Sequence, residues 1–325
     1  MNELKVYPPC RRSKLPLLSL ALLLMLQSSW FSANGASSNV VGWYSVAVPS
    51  GNSSWTCGLV CADLYQGSAV TVTADVDGKA LVTFSSPGWT DGAFSKHYAE
   101  PLSGASAGLA IDVLSNTVDT LKLNATPAAA GLSNGMVFVL RKHATLAGLL
   151  PDGGGFVAYN DTISLFGTGG SQSLYFWNAT NWITASNTDA SEVIIRPGQG
   201  FVIQVGVAKT LTIGKGEVAY VKTTPTKIQA SSGTPNLVGA LNPLGTSTTL
   251  GSLGITSSLQ PFNDSVVMLN PGSLAQTGTF LTDGTNLLDA NFQNANNTAL
   301  PAGTSVVINV DGSKTISLTP VTVSP

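Results

Sequence analysis

The sequence predicts a mainly β protein of sandwich- or barrel-like units. Three observations lead there: few charges, β-branched runs cut by turn chemistry, and a pattern that returns along the chain. Charged residues make up 10% of the 325 residues and hydrophobic residues 43%. An average soluble domain carries roughly 25% charge, so the Glu and Lys that long solvated helices need are missing. Thr, Val, Gly and Asn fill the gap; branched residues pack on a pleated surface, and Gly and Asn tolerate positive φ in tight turns. The formal net charge of −2 supplies no basic field for phosphates, which argues against a nucleic-acid partner.

The chain opens with Lys5, Arg11, Arg12 and Lys14, then an apolar run over residues 15–26 broken by Pro16 and Ser19, then the small residues Ser32, Ala33, Gly35 and Ala36. That order is the one of a secretory signal, so residues 1–36 are expected to be a cleaved export segment. The run is shorter than the roughly 20 residues that span a bilayer, and no later stretch approaches that length. The expectation is an extracellular, cell-surface or periplasmic protein with no transmembrane span in the mature chain. Cys10 would leave with the signal. Cys57 and Cys61 remain as a pair suited to a local disulfide in an oxidising compartment. A metal would want two further ligands, and only Asp63 is near, so no metal and no cofactor are expected.

Residues 37–126 read as an N-terminal β domain, with strands at 41–48, 69–74, 80–84, 109–114 and 117–123. Asp77-Gly78 between apolar alternations is a hairpin signal, and Pro49-Ser50-Gly51-Asn52 and Pro87-Gly88 are turn chemistry. After Thr126-Pro127 four blocks recur with a period of about 104 residues, predicting β units at 127–230 and 231–325. Asn160-Asp161-Thr162-Ile163 faces Asn263-Asp264-Ser265-Val266, and Thr145-Leu146-Ala147-Gly148-Leu149 faces Thr249-Leu250-Gly251-Ser252-Leu253. Ile195-Arg196-Pro197-Gly198 with Phe201-Val202-Ile203 faces Ala299-Leu300-Pro301-Ala302 with Val306-Val307-Ile308, and Thr210-Leu211-Thr212-Ile213 faces Thr315-Ile316-Ser317-Leu318. Each unit would hold a short leucine-rich helix or turn followed by strands.

Gly104-Ala105-Ser106-Ala107-Gly108 fits the Gly-x-Ser-x-Gly nucleophile elbow, which needs a strained strand-to-helix turn. Residues 109–113 read instead as a strand, and His143 follows too closely for the usual hydrolase layout, so the string reads as a Gly/Ser-rich turn; His97 is the other histidine. Paired carboxylates for glycoside hydrolysis would have to come from Glu100, Glu192, Glu217 or turn aspartates such as Asp77, Asp152, Asp283 and Asp311, which more naturally bond local backbone. Asp283 to Asp289 is the best calcium-like stretch but lacks the spacing of a calcium loop. Tyr175, Trp177 and Trp182 are the candidate carbohydrate-binding aromatics, with a core role as the competing reading. Asn-x-Ser/Thr sequons begin at Asn52, Asn124, Asn160, Asn178, Asn263 and Asn296, as expected of this composition.

Val41-Gly42-Trp43-Tyr44, Asn116-Thr117-Val118-Asp119-Thr120-Leu121, Gly135-Met136-Val137-Phe138, Ile195-Arg196-Pro197-Gly198-Gln199-Gly200-Phe201 and Pro235-Asn236-Leu237-Val238-Gly239 carry a wider likeness. Together with the Thr145 and Asn160 blocks they make the chain resemble a family of exported β-rich proteins of unknown function, present as multiple paralogues in Verrucomicrobia-type bacteria. The resemblance implies a bacterial host, export and a β fold, and it supplies no activity or catalytic residue. Cys57 and Cys61 depart from its pattern. The functional expectation is a non-enzymatic structural, adhesive or matrix-contact protein, whose partners would be extracellular polysaccharide or cell-envelope components. A carbohydrate-binding module and an extracellular hydrolase are the alternatives.

Overall fold

The computed structural model describes residues 44–56, 60–166, 171–214, 218–219, 224–242 and 247–320. The expected export segment, Trp43 and Cys57 lie outside them. Two strands, β1 (Tyr44–Val48) and β2 (Gly51–Thr56), open the described chain, followed by the short β3 (Val60–Cys61). Then come β4 (Asp63–Ala74), β5 (Ala80–Phe84), β6 (His97–Pro101), β7 (Ile111–Asn116), β8 (Thr120–Leu123) and β9 (Val137–Lys142). These six close into a barrel in the order β4-β5-β8-β7-β6-β9. Period-two alternation points Ala80, Val82 and Phe84 inward on β5 and Leu121 and Leu123 inward on β8, so the interior is packed. The long β4 pairs with β9 through its first half and with β5 through its second, with a bulge between Ala69 and Thr71 where it turns the corner.

Beyond the barrel run β10 (Ala144–Thr145), β11 (Thr162–Phe166), β12 (Gln172–Trp177), β13 (Trp182–Thr184), β14 (Ile194–Ile195), β15 (Gly200–Val205), β16 (Lys209–Ile213) and β17 (Val218–Ala219). The last stretch holds β18 (Thr226–Ala230), β19 (Asn236–Val238), β20 (Thr248–Thr249), β21 (Ser265–Leu269), β22 (Gln276–Thr282), β23 (Leu287–Leu288), β24 (Ala299–Leu300), β25 (Val306–Asn309) and β26 (Lys314–Leu318). Two five-stranded sheets result, β13-β12-β11-β15-β2 and β23-β22-β21-β25-β19, and the two orders correspond strand for strand. The flanking pairs correspond too: β1 with β16 and β18 with β26, β10 with β14 and β20 with β24. Each sheet covers its own core. The first is capped by the one-turn helix Leu146–Leu149, whose Thr145 hydroxyl accepts the Gly148 N–H at 3.2 Å; the second is capped by the 3₁₀ turn Gly251–Leu253.

The sheets meet through reciprocal contacts. Thr56 N–H donates to the Gly303 carbonyl at 2.8 Å, and its topological counterpart Gly239 donates to Gly198, the counterpart of Gly303, at 3.1 Å. Trp55 bridges Thr304 while Gln199 bridges Val238, the same pair with the roles of the sheets exchanged. Contacts of this kind are those of an isologous interface, here within one chain.

The expected boundaries at 126 and 230 move accordingly. β1 and β2 belong with the first sheet, β9 beyond residue 126 closes the barrel, and β18 before residue 231 belongs with the second sheet. The first sheet is therefore assembled from strands on both sides of the barrel, which sits in the chain between β2 and β10. Among the described residues, no helix is long and apolar enough to cross a membrane.

Candidate functional site

The aromatics picked out from the sequence do not form an exposed stacking face. Trp182 is fully buried and donates its indole N–H to the Leu150 carbonyl at 3.1 Å, and Tyr175 is buried beside it in the first core. Trp177, the cross-strand partner of Trp182, is half-buried and lies over Gly153, where any Cβ would strike the indole. The reason is local: the β12–β13 hairpin turns these rings onto Phe156, which meets Trp182 edge to face at 5.1 Å. Trp55 is core as well, and Trp89 stacks edge to face with Tyr65, Phe84 and Phe94 at one end of the barrel.

Ser106 sits in a tight turn closed by Gly108 N–H to the Pro101 carbonyl and Leu109 N–H to the Ser106 carbonyl, each 2.9 Å, with no helix following. Its hydroxyl is buried. The turn serves as a seat for the second sheet: Gly108 has φ +85, a Cβ there would overlap the Pro225 carbonyl oxygen, and Lys227 N–H donates to the Gly108 carbonyl at 3.0 Å. Only glycine combines that torsion with that approach. Asp283 is used locally, its carboxylate accepting the Thr285 and Asn286 N–H groups at 2.7 and 2.6 Å. Cys61 packs half-buried against the first core, while its expected partner Cys57 lies outside the described residues.

Sequence reasoning missed the polar junction between barrel and sheets. Asp112 on β7 pairs with Arg196, which follows β14, and its other oxygen lies 3.0 Å from Nε2 of the buried His143, off the angle of a hydrogen bond. Burial would raise the Asp112 carboxyl, but His143 and Arg196 beside it bring it down to about 2. Behind it, buried Arg141 donates to Asp63 at 2.6 Å and to buried Glu100, and Thr224 donates to Glu100 from the other side. His97, half-buried against Phe94, is held below its usual range by burial, with Lys142 and His143 adding to the effect. Residues far apart in the chain build this network, so no spacing rule reveals it. The one available signal is that charges are scarce, which makes each buried one conspicuous.

Next to the junction opens a cleft of about 600 Å³, lined by β7, the Arg196–Gln199 turn, and β18 and β19. Its volume is that of an ordinary small-ligand site.

A second feature occurs twice. Ahead of β11 stands Tyr159-Asn160-Asp161, and ahead of β21 stands Phe262-Asn263-Asp264. Asp161 is fully buried; it accepts Val157 N–H at 2.7 Å, Gly206 N–H at 3.1 Å and the Lys209 ammonium. Asp264 is fully buried in the same way, accepting Gln260 N–H at 2.7 Å, Asp311 N–H at 3.0 Å and the Lys314 ammonium. Burial works against ionisation at both, yet these donors hold both carboxyls below the usual range.

Each pinned turn presents its aromatic outward, Tyr159 at 66% and Phe262 at 58% exposure, with φ of 60° and 58°. The backbone is tied down on both sides: Tyr159 N–H donates to Trp177 and Phe262 N–H to Thr282, at 2.8 and 2.9 Å. Left-handed backbone costs a non-glycine residue roughly 1–2 kcal/mol, and aromatic side chains gain nothing from it locally. A neighbouring turn shows the cheaper solution. Asn187 and Phe292 occupy equivalent left-handed positions, their N–H groups donating to Thr184 and Asp289 at 2.9 Å, and there one of the two positions is Asn.

Set against known protein families, curated proteins and solved structures, the chain matches none.

Proposed function

We propose that this protein is an exported, non-catalytic matrix-contact protein that holds extracellular polysaccharide through its two aromatic turns. The observation that carries the reading is the repetition of an exposed, left-handed aromatic on a buried-aspartate pin, once in each sheet. Strained backbone kept at an exposed position calls for a role outside the fold. A flat ring beside an exposed amide, Tyr159 with Asn160 and Phe262 with Asn263, suits the apolar face and hydroxyl rim of a pyranose. Two equivalent sites suit a partner that repeats itself, and a polysaccharide does so by construction. Export rests on the charge, apolar run and small residues of 1–36, and a Cys57–Cys61 bridge would fit the compartment that export implies.

The test is co-sedimentation of the mature protein with a panel of insoluble, uncharged polysaccharides. Binding should fall in Tyr159→Asn and in Phe262→Asn and reach background in the double variant, with thermal stability retained. Retention of the double variant on every polysaccharide that holds the parent would sink the proposal.

A further inference from the structure

The cleft at the junction stands apart from the aromatic turns and has a chemistry of its own. Its floor is aliphatic, with Leu109, Ile111 and Leu237 prominent, and its polar groups come from all three bodies. Sorting those groups by what their hydrogen bonds already occupy leaves an inventory one-sided in charge. Gln199 is spent, its Oε1 accepting Arg196 N–H and its Nε2 donating to the Phe166 carbonyl. Asn236 is spent as well, its Oδ1 on Ser231 N–H and its Nδ2 shared among three carbonyls. Asn124 has its oxygen taken by Lys79 at 2.9 Å, which leaves its amide N–H₂ to face a ligand.

Arg196 commits one end of its guanidinium to Asp112 and is otherwise half-exposed, so its remaining N–H groups are open. Lys227 lies half-buried in the wall; its ammonium donates to the Ala105 carbonyl, and no ion pair to a carboxylate is seen for it among the described residues. The open inventory therefore joins a guanidinium edge, an ammonium and an amide N–H₂ to two neutral groups, the Gln229 oxygen and the Ser231 hydroxyl, so all of its uncommitted charge is positive. Two cations stand against the single carboxylate of Asp112, which Arg196 already engages. Lys209 and Lys314, by contrast, are each matched to a buried aspartate.

We infer that the cleft is a binding site for an anionic, acceptor-rich saccharide, a short stretch of carboxylated sugar whose C–H face lies on the aliphatic floor and whose carboxylate reaches Arg196 and Lys227. Guanidinium and ammonium bind carboxylate with charge-assisted hydrogen bonds, and the aliphatic floor excludes the water that would compete for them. Asp112 holds the guanidinium in place before the ligand arrives, so less side-chain freedom is lost on binding.

The experiment is calorimetric titration of the mature protein with trigalacturonate, its fully methyl-esterified form and citrate. Trigalacturonate should bind saturably and weaken as salt is raised, and the ester should bind at least about tenfold more weakly because it brings no charge. Lys227→Met should weaken binding by about tenfold. Ala129→Trp, which fills the cleft from an exposed lining position, should abolish binding with the melting temperature unchanged. The Tyr159→Asn, Phe262→Asn double variant should titrate as the parent does, which separates this site from the aromatic turns. Three outcomes would overturn the inference: no heat with trigalacturonate at millimolar concentration, equal affinity for the ester, or undiminished binding by Ala129→Trp. Citrate binding as tightly as trigalacturonate would overturn the saccharide assignment.

Discussion

The two sheets share a strand order, flanking strand pairs and a buried Asp–Lys pin, yet one is continuous in sequence while the other is split by an entire barrel. Most of what the sheets have in common concerns support: pins, caps and the interface between them. What differs is how each sheet holds the inserted barrel, the first through Arg196 and the Lys96–Glu192 pair, the second through the bond from Lys227 to Gly108. The comparison teaches that function should be sought both where the two sheets agree at a cost, at Tyr159 and Phe262, and where the insertion breaks the likeness, at the cleft.

The largest effects should come from the pins. Asp161→Ala and Asp264→Ala each strand a lysine and two backbone donors, and each should cost roughly 3 kcal/mol in urea unfolding. Similar losses would sharpen the equivalence of the two sheets; a loss confined to one would break it. Next comes Gly108→Ala, where the left-handed torsion and the overlap with Pro225 together should cost about 2 kcal/mol. Gly78→Ala has the same kind of torsion at φ +74 but open space around it, and should cost only about 1 kcal/mol.

Acid should act on both regions in one direction. Asp161, Asp264 and Asp112 all have folded-state values below the unfolded one, so their contribution is present above about pH 4 and lost as pH falls through the folded values, about 2 for Asp112. Arg196→Gln should shrink the Asp112 part of that loss, with His143 keeping the remainder, and leave the part due to the pins, which is checked by urea unfolding between pH 2 and pH 5. At neutral pH the same substitution should cost only about 1 kcal/mol, because Arg196 is half-exposed. The smallest effect has the opposite sign. Tyr159→Asn and Phe262→Asn should stabilise the fold by about 0.5 kcal/mol each, since Asn accepts left-handed backbone more readily.

Local features were legible in the sequence, and long-range ones were not. The alternation at Ala80, Val82 and Phe84 and the turn at Asp77-Gly78 predicted the β4–β5 hairpin, where Gly78 N–H bonds the Asp75 carbonyl. Asn160-Asp161 against Asn263-Asp264 stood out as a repeated string, and both aspartates have the same fully buried, lysine-paired setting. Composition does not encode which distant strand a segment joins: β1 was read as part of an N-terminal domain, yet its partner β16 lies at Lys209–Ile213. Alternation in Tyr175-Phe176-Trp177 marks a strand without saying that its rings meet Phe156 and Trp182 inside. Tyr159 and Phe262 passed unnoticed because an aromatic before Asn-Asp reads as the start of a strand, and only the backbone torsion sets it apart.

The most direct test of the central claim is the dissociation rate from an immobilised uncharged polysaccharide selected by co-sedimentation, compared across the parent, each single aromatic variant and the double. If both turns grip one repeating partner, either single variant should dissociate at least about a hundredfold faster than the parent, because the second contact then no longer acts intramolecularly. The double variant should show no measurable binding. A parent that dissociates no more slowly than its single variants would contradict the claim that the two turns act together.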